Sequence, residues 1–141
     1  MKQVISNPPY NLKWEHPFFA SAQPRFDLGL PPESNANFTF VLTALERCDY
    51  AQFILPNGVL TTSQVDEAAI RKNLLEANLI EAVVALPDNM FVSTSIPTCV
   101  LIFNKKKTTA RVSMIDLNEK AEIEIREQRG QFGVQKVRVY K

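Results

Sequence analysis

The chain has 141 residues and a formal net charge of +1, with 45% hydrophobic and 22% charged residues. This size and composition indicate one globular domain and exclude an intrinsically disordered protein. No apolar run reaches the roughly 18 residues of a membrane span, and residues 1–10 lack the apolar core of a secretory leader, so the sequence predicts a cytoplasmic protein.

The first predicted elements are a short strand and a long loop. Val4 and Ile5 form an apolar run that ends at Asn-Pro-Pro-Tyr, residues 7–10, where two prolines prevent a helix or a strand from continuing. We call these four residues the motif. Residues 11–35 contain four prolines and one glycine without a sustained period, and loops of this length in a compact domain are usually functional or disordered.

A helix and a buried strand follow the loop. Apolar residues recur at helical spacing over Phe38–Cys48, and Asn35 or Asn37 is expected to cap this helix. Residues 50–55 are apolar and rich in aromatic side chains, and residues 56–58 read Pro-Asn-Gly. This pattern is typical of a buried strand that ends in a turn.

The next part of the chain predicts a second helix and three more strands. Ser63 and Asp66 resemble a capping box. The expected buried stripe consists of Val65, Ala69, Ile70, Leu74 and Ala77. Strands are predicted over residues 80–86 and 99–103, and an edge strand over 111–115.

Strands that alternate with helices and are apolar throughout predict an open α/β sheet with helices on both faces. In such sheets ligands bind outside the carboxyl ends of the strands. The motif and the loops after Leu55 and Leu86 leave predicted strand ends of this kind. The sequence therefore places the functional site at these three loops.

Charge is distributed unevenly along the chain. Residues 1–104 carry 6 Lys+Arg and 10 Asp+Glu, a net charge of −4, whereas residues 105–141 carry 10 and 5, a net charge of +5. A basic tail can contact nucleic acid, but a solvated ribbon of mixed charge looks similar and is the favoured interpretation. Alternating polar and apolar residues at 122–125 and 137–139 indicate amphipathic strands or an arm.

The sequence offers no metal site. Cys48 and Cys99 are far apart, without CxxC spacing or neighbouring histidines, so neither a disulfide framework nor a zinc site is predicted. Two buried reduced thiols are expected. His16, the one histidine, is interpreted as a loop residue.

The motif combines hydrogen-bond acceptors with a flat aromatic ring. The Asn7 side chain and the Pro8 carbonyl can each accept one N–H, and the Pro-Pro sequence with Pro9 fixes the direction of that carbonyl. The Tyr10 ring can stack on a planar base. When both protons of an exocyclic amine are accepted, the nitrogen lone pair is localised and the amine becomes a nucleophile. The motif thus predicts an amine methyltransferase, with a rigid turn of no catalytic role as the alternative.

Five blocks, in order along the chain, carry a family resemblance: residues 4–14, 24–32, 55–60, 70–74 and 85–98. Together they resemble the modification subunit of type I restriction-modification systems, a family similar to N6-adenine DNA methyltransferases that use S-adenosylmethionine. The resemblance covers about residues 3–116 and is more specific than the motif alone.

The resemblance implies a fold, a division of the chain and a set of site residues. The expected fold is a partial Rossmann-like sheet, with residues 1–116 as the C-terminal half of a catalytic domain and residues 117–141 as a basic tail or arm. The expected catalytic residues are Asn7, Pro8, Pro9 and Tyr10, and Asn7 also lies at the edge of the cofactor site. The expected substrate-binding residues are Tyr10, Lys13, Trp14, Phe91, Thr94, Ser95 and Ile96.

One family feature is missing. In the resembled family a glycine-rich loop and an acidic residue upstream of the motif build the cofactor site. This chain has four glycines, at positions 29, 58, 130 and 133, and Met1 lies six residues before Asn7. The main S-adenosylmethionine cradle is therefore expected to be absent from this chain, and the chain is expected to be inactive alone.

The implied partners are DNA, the remaining half of the methyltransferase, and the specificity and restriction subunits, with no membrane. An uncovered sheet edge at Val4 and Ile5 predicts self-association. Two alternatives stay open: a methyltransferase that acts on RNA or on protein amides, and a non-catalytic interaction module or relic.

Overall fold

The computed structural model of the protein describes residues 2–87, 96–117, 126–130 and 133–137. Its strands are β1 (Gln3–Ser6), β2 (Tyr50–Pro56), β3 (Ile80–Ala85), β4 (Thr98–Asn104), β5 (Ser113–Asp116), β6 (Arg126–Gly130) and β7 (Gly133–Val137). Its α-helices are α1 (Asn37–Arg47), α2 (Gly58–Thr61) and α3 (Val65–Glu76). The connection after β1 contains two 3-10 turns, Ala20–Ala22 and Pro24–Phe26, and is otherwise irregular, as predicted.

Five strands form one mixed sheet in the order β1-β2-β4-β3-β5. β1 is parallel to β2 and β3 is parallel to β5, whereas β4 runs antiparallel to both of its neighbours. β1, β2 and β3 therefore all point the same way. The predicted α/β class is confirmed, and β6 and β7 form a separate antiparallel pair.

The two longer helices pack on one face of the sheet. The chain crosses from β1 to β2 through α1 and from β2 to β3 through α3, and both crossovers move in the same direction along the strand order of the sheet. Because such crossovers are right-handed, both helices lie on the same face. The core cluster agrees, because it joins Leu42 of α1 and Leu74 of α3 to Phe53 of β2. On the other face Ile5 is 74% exposed. The expectation of helices on both faces is thus met for one face in the part of the chain that the structure describes.

The first helix matches its prediction closely. It buries Phe38, Val41, Leu42 and Leu45 against the sheet, at the predicted spacing. Its N-cap is Ala36, which makes no side-chain capping bond, so neither predicted asparagine is the cap residue. Asn35 still contributes, because its Oδ1 accepts a hydrogen bond of 3.3 Å from the backbone N–H of Asn37.

The buried stripe predicted for α3 is wrong at three positions. Ile70 and Leu74 are buried as expected, but Ala69 and Ala77 are exposed and Val65 is 79% exposed. Val65 is the first residue of the helix and Ala77 is its C-cap, so both lie beyond the turns that face the sheet. The N-cap is Gln64 rather than Ser63, and its side chain accepts a bond from the N–H of Glu67.

The remaining strand predictions hold to within one or two residues, and β5 begins at Ser113 rather than at residue 111. In the tail, Val137 belongs to β7, whereas residues 122–125 and 138–139 lie outside the described residues. The division of the chain between residues 116 and 117 stays a prediction. Both cysteines are buried and free, as expected.

Within the described ranges, no helix has the length and apolar character needed to cross a membrane.

Candidate functional site

The motif lies at the edge of the sheet where β1, β2 and β3 end. β1 ends at Ser6, so Asn7 is the first residue beyond the strand. Because β2 and β3 run in the same direction, Pro56 at the end of β2 and Leu86 after β3 lie at the same edge. This is the position at which open α/β sheets bind their ligands.

Within the motif, the Tyr10 hydroxyl donates a hydrogen bond of 2.8 Å to the Asn7 Oδ1 atom. Pro8 is buried and fixes the turn, Pro9 is exposed, and Asn7 is exposed at the sheet edge. An amide oxygen has two lone pairs, so the Tyr10 bond leaves one acceptor position on Asn7 for a ligand and sets the orientation of the amide.

Burial raises the pKa of the Tyr10 hydroxyl above its ordinary value, and the neighbouring Cys99 thiol raises the same pKa further. Burial also raises the pKa of the Cys99 thiol, to about 11. Both groups therefore stay neutral at physiological pH. The Tyr10 hydroxyl accordingly remains a hydrogen-bond donor to Asn7.

The residue after the motif is held by a second asparagine. Asn11 has a left-handed backbone, with φ at 54°. Its N–H donates a bond of 2.9 Å to Asn37 Oδ1, and its own Oδ1 accepts a bond of 3.1 Å from Asn37 Nδ2. Ala36 adds a backbone bond of 2.7 Å to the carbonyl of Leu12. The motif is thus tied to the start of α1.

A cleft of about 730 Å³ opens beside the motif. We call it the polar cleft, and its walls include Asn11, Asn35, Asn37, Pro56, Glu67 and Ile96. Glu67 is 5% exposed, and its Oε1 accepts a bond of 2.8 Å from Asn35 Nδ2. Amide and carboxylate groups of this kind supply donors and acceptors that match the edges of nucleobases.

Arg71 shapes one wall of the polar cleft. Its Nη1 donates bonds of 3.3 Å and 3.0 Å to the carbonyls of Val59 and Thr62, at either end of the short segment that contains α2. The guanidinium therefore fixes this backbone segment from the side of α3. The cleft wall is held by α3 and not by the loop alone.

Besides Tyr10, described above, the structure separates the six other expected substrate-binding residues into three groups. Lys13 is exposed and Ile96, 44% exposed, lines the polar cleft. Trp14 contacts other residues of the long loop: its Nε1 donates a bond of 2.7 Å to the Pro32 carbonyl, and its ring packs against Phe26. Three of the expected residues lie outside the described residues: Phe91, Thr94 and Ser95.

His16 is a loop residue, as expected. Its Nε2 lies 2.7 Å from the Pro31 carbonyl and its ring meets the Trp14 ring edge-on at 5.0 Å. Both contacts are internal to the long loop, so His16 contributes to loop packing.

Sequence reasoning missed four polar residues that the fold brings to the site: Asn11, Asn35, Asn37 and Glu67. Asn11 directly follows the motif, and the Asn-Ala-Asn run at 35–37 predicts only a helix cap. The signal available in the sequence was the concentration of asparagines next to the motif and at the end of the long loop. Their pairing depends on the return of that loop to the sheet edge.

That the main S-adenosylmethionine cradle is absent stays a prediction, and the structure shows where each of the four glycines lies. A Cβ at Gly29, where φ is 136°, would lie 2.7 Å from Ile70 Cγ1, so this glycine allows the loop to approach α3. Gly58 begins α2, and Gly130 and Gly133 belong to β6 and β7. Asn7, at the strand end, remains the one residue predicted to lie at the edge of a cofactor site.

The family model described as N-6 DNA Methylase matches residues 1–137. The chain belongs to this family. It is 34% identical over 124 residues to the type I restriction enzyme HindI methylase subunit of Haemophilus influenzae, a match that spans 84% of this chain and 28% of that protein.

Solved structures agree with this assignment. The type I restriction-modification methyltransferase subunit from Streptococcus thermophilus is similar with a TM-score of 0.78 and 34% identity, over 96% of this chain and 29% of that one. A Listeria monocytogenes protein described as a class I S-adenosylmethionine-dependent methyltransferase has a TM-score of 0.59 at 24% identity, over 82% of this chain and 36% of that one, and shows the fold alone. This N-6 DNA methylase family chain thus spans less than a third of the Haemophilus and Streptococcus proteins.

Proposed function

We propose that this chain supplies the target-base site of an adenine-N6 DNA methyltransferase of type I restriction-modification systems. The observation that carries the proposal is the exposed Asn7 amide at the end of β1, oriented by the Tyr10 hydroxyl beside a cleft lined with polar groups. Membership of the N-6 DNA methylase family supports the reaction class.

The proposed chemistry uses acceptors rather than a strong base. Asn7 Oδ1 and the Pro8 carbonyl each accept one proton of the adenine N6 amine, which localises the nitrogen lone pair and makes it nucleophilic. Tyr10 stacks on the base, which offsets part of the cost of flipping the adenine out of the duplex. Lys13, exposed three residues after Tyr10, is available for a phosphate contact.

S-adenosylmethionine is the proposed methyl donor because it is the cofactor named for the structural neighbour from Listeria. We infer that residues outside this chain hold most of it, since the match spans 28% of the Haemophilus relative and the four glycines at positions 29, 58, 130 and 133 do not form a glycine-rich loop in the sequence. The isolated chain is therefore expected to be inactive. Micromolar affinity for S-adenosylmethionine, measured by calorimetry on this chain alone, would contradict this inference.

The proposed partners are DNA, the rest of the methyltransferase, and specificity and restriction subunits. Self-association is proposed through β1, which ends the five-stranded order and carries the exposed Ile5. An open apolar edge of this kind favours pairing with another chain.

The base preference of the isolated chain tests the proposed function. Fluorescence anisotropy would compare a thymine tract that contains one adenine with the uninterrupted tract, in DNA and in RNA. We expect tighter binding of the adenine-containing DNA and loss of that preference in Asn7→Ala, because the variant lacks the amide acceptor. A preference for the RNA tract would favour an RNA methyltransferase, and no preference for adenine would oppose the proposal.

A further inference from the structure

Asn37 is 3% exposed, although it is polar and occupies the first position of α1. Side chains at the start of a helix usually face water or cap the helix. Asn37 does neither, because the cap position belongs to Ala36. Both ends of its amide are instead directed at Asn11, the residue that follows the motif.

The two bonds between these asparagines hold an unusual backbone. At φ of 54°, Asn11 lies in the left-handed region, which asparagine tolerates better than most residues but which still needs support from its surroundings. Asn37 Oδ1 accepts the Asn11 N–H at 2.9 Å and Asn37 Nδ2 donates to the Asn11 side chain at 3.1 Å. The left-handed turn therefore sets the direction in which the chain leaves Tyr10.

The same asparagine is linked to α3. The Asn37 N–H donates to Asn35 Oδ1 at 3.3 Å, and Asn35 Nδ2 donates to Glu67 Oε1 at 2.8 Å. Glu67 is in the first turn of α3 and is nearly fully buried. A chain of hydrogen bonds, formed by side chains and by the backbone N–H groups of Asn37 and Asn11, thus runs from α3 to the residue beside the motif, so the motif is held by the two helices as well as by β1.

We propose that Asn37 is a positioning residue for the base site: by clamping Asn11 it holds the Tyr10 hydroxyl in place to orient the Asn7 amide. This role rests on the function proposed above and adds a residue that does not touch the base. The two hydrogen bonds between Asn37 and Asn11, which we call the clamp, hold the Asn7 Oδ1 acceptor in position before a base binds. A preorganised acceptor discriminates between bases better than one that must first be ordered.

The test separates recognition of the amine from general stability. Binding to the thymine tract with one adenine is compared with binding to the same tract with N6,N6-dimethyladenine, which lacks both amine protons. The ratio of the two affinities measures how well the amine is recognised. We expect Asn37→Ala to reduce this ratio by about tenfold, the effect of losing roughly one well-placed hydrogen bond. Asn37→Asp keeps the acceptor for the Asn11 N–H and is expected to retain part of the ratio.

Thr39→Val is the matched control. Thr39 lies two residues further along α1 and is also buried, and its Oγ1 has no hydrogen-bond partner among the described residues. The control should keep the ratio of the parent chain. If Asn37→Ala and Thr39→Val gave the same ratio as the parent, the positioning role would be refuted.

Hydrogen exchange at the Asn11 amide distinguishes failure of this inference from failure of the proposed function. We expect the exchange to accelerate in Asn37→Ala, by about tenfold or more, whether or not a nucleic acid binds. If the parent chain does not distinguish adenine from N6,N6-dimethyladenine, the base-site function is contradicted and the exchange rate decides whether the clamp exists. Unchanged exchange in Asn37→Ala would refute the clamp itself.

Discussion

Cys99 lies within the sheet next to the motif, and its titration is expected to contribute a measurable loss of stability at alkaline pH. The thiol is fully buried in β4, opposite Leu55 of β2. Burial raises its pKa from 9.0 to about 11. In the unfolded chain the thiol ionises near its ordinary pKa, so between pH 9 and 11 the unfolded state loses a proton that the folded state keeps. The stability due to this thiol is present below pH 9 and lost as the pH approaches 11.

The magnitude follows from the difference between the two pKa values. Each pKa unit corresponds to about 1.4 kcal/mol, so the free energy of unfolding should fall by about 2 to 3 kcal/mol from this thiol alone. Cys99→Ala removes the titrating group, and the lost packing costs roughly 1 kcal/mol at every pH. The parent chain should therefore be more stable than the variant at pH 7 and less stable at pH 11.

Urea denaturation under reducing conditions, followed by the fluorescence of the single tryptophan, Trp14, measures both stabilities from pH 7 to 11. Taking the difference between the two proteins removes the contributions that they share, apart from that of Tyr10, whose pKa the Cys99 thiol raises. Cys48→Ala, which removes the other buried thiol, is measured in the same way as a second comparison. A parent-minus-variant difference that stays constant from pH 8 to 11 would refute the reasoning.

Three further predictions concern the motif, the loop and the sheet edge. Tyr10→Ala should weaken binding of the adenine-containing tract by about 1–3 kcal/mol, whereas Tyr10→Phe keeps the stacking ring and should lose only the part of the affinity that depends on the hydroxyl orienting Asn7; equal losses in anisotropy titrations would argue against stacking. Gly29→Ala should destabilise the chain by about 2–4 kcal/mol in urea melts, because position 29 has a φ of 136° and an added Cβ would meet Ile70. Gly58→Ala, where the added Cβ meets open space, should not show this loss, and equal effects of the two substitutions would contradict the packing account. Sedimentation equilibrium at micromolar concentration should give a mass above 16.0 kDa, and a monomer with fast exchange at Ile5 would disprove pairing through β1.

Local patterns were sufficient for the main elements. The helical spacing over residues 38–48 and the apolar run over residues 50–55 each depend on burial of one continuous segment, and both elements appear within one or two residues of the predicted bounds. The stripe predicted for α3 fits less well, because Val65 and Ala77 lie at the two ends of the helix and Ala69, beside the buried Ile70, is exposed. Apolar character at a helix end does not show whether the next layer reaches that far.

The candidate site depended more on contacts between distant segments. The position of Asn7 beyond a strand was predictable, because two prolines must end β1. The pairing of Asn11 with Asn37 was not, because the two residues lie 26 positions apart, at opposite ends of the long loop. Trp14, which the resemblance implies as a substrate contact, also bonds to the Pro32 carbonyl and packs against Phe26, and its part in substrate binding stays a prediction. Proximity in sequence does not distinguish a ligand contact from loop packing.

The most direct test is methyl transfer by a type I methylase subunit whose matching stretch is replaced by this chain. The Haemophilus influenzae subunit is a suitable host, because its similarity extends over 84% of this chain. Mass spectrometry of the treated DNA should detect N6-methyladenine. Asn7→Ala should reduce turnover by about 10²–10³-fold with little effect on DNA affinity, as expected for a group used mainly in the transition state. Asn78→Ala, which changes an asparagine at the opposite end of the sheet that bonds to the Thr109 carbonyl, should keep the parent rate. Equal N6-methyladenine formation by the parent and Asn7→Ala chimeras would contradict the assignment of the motif as the base site.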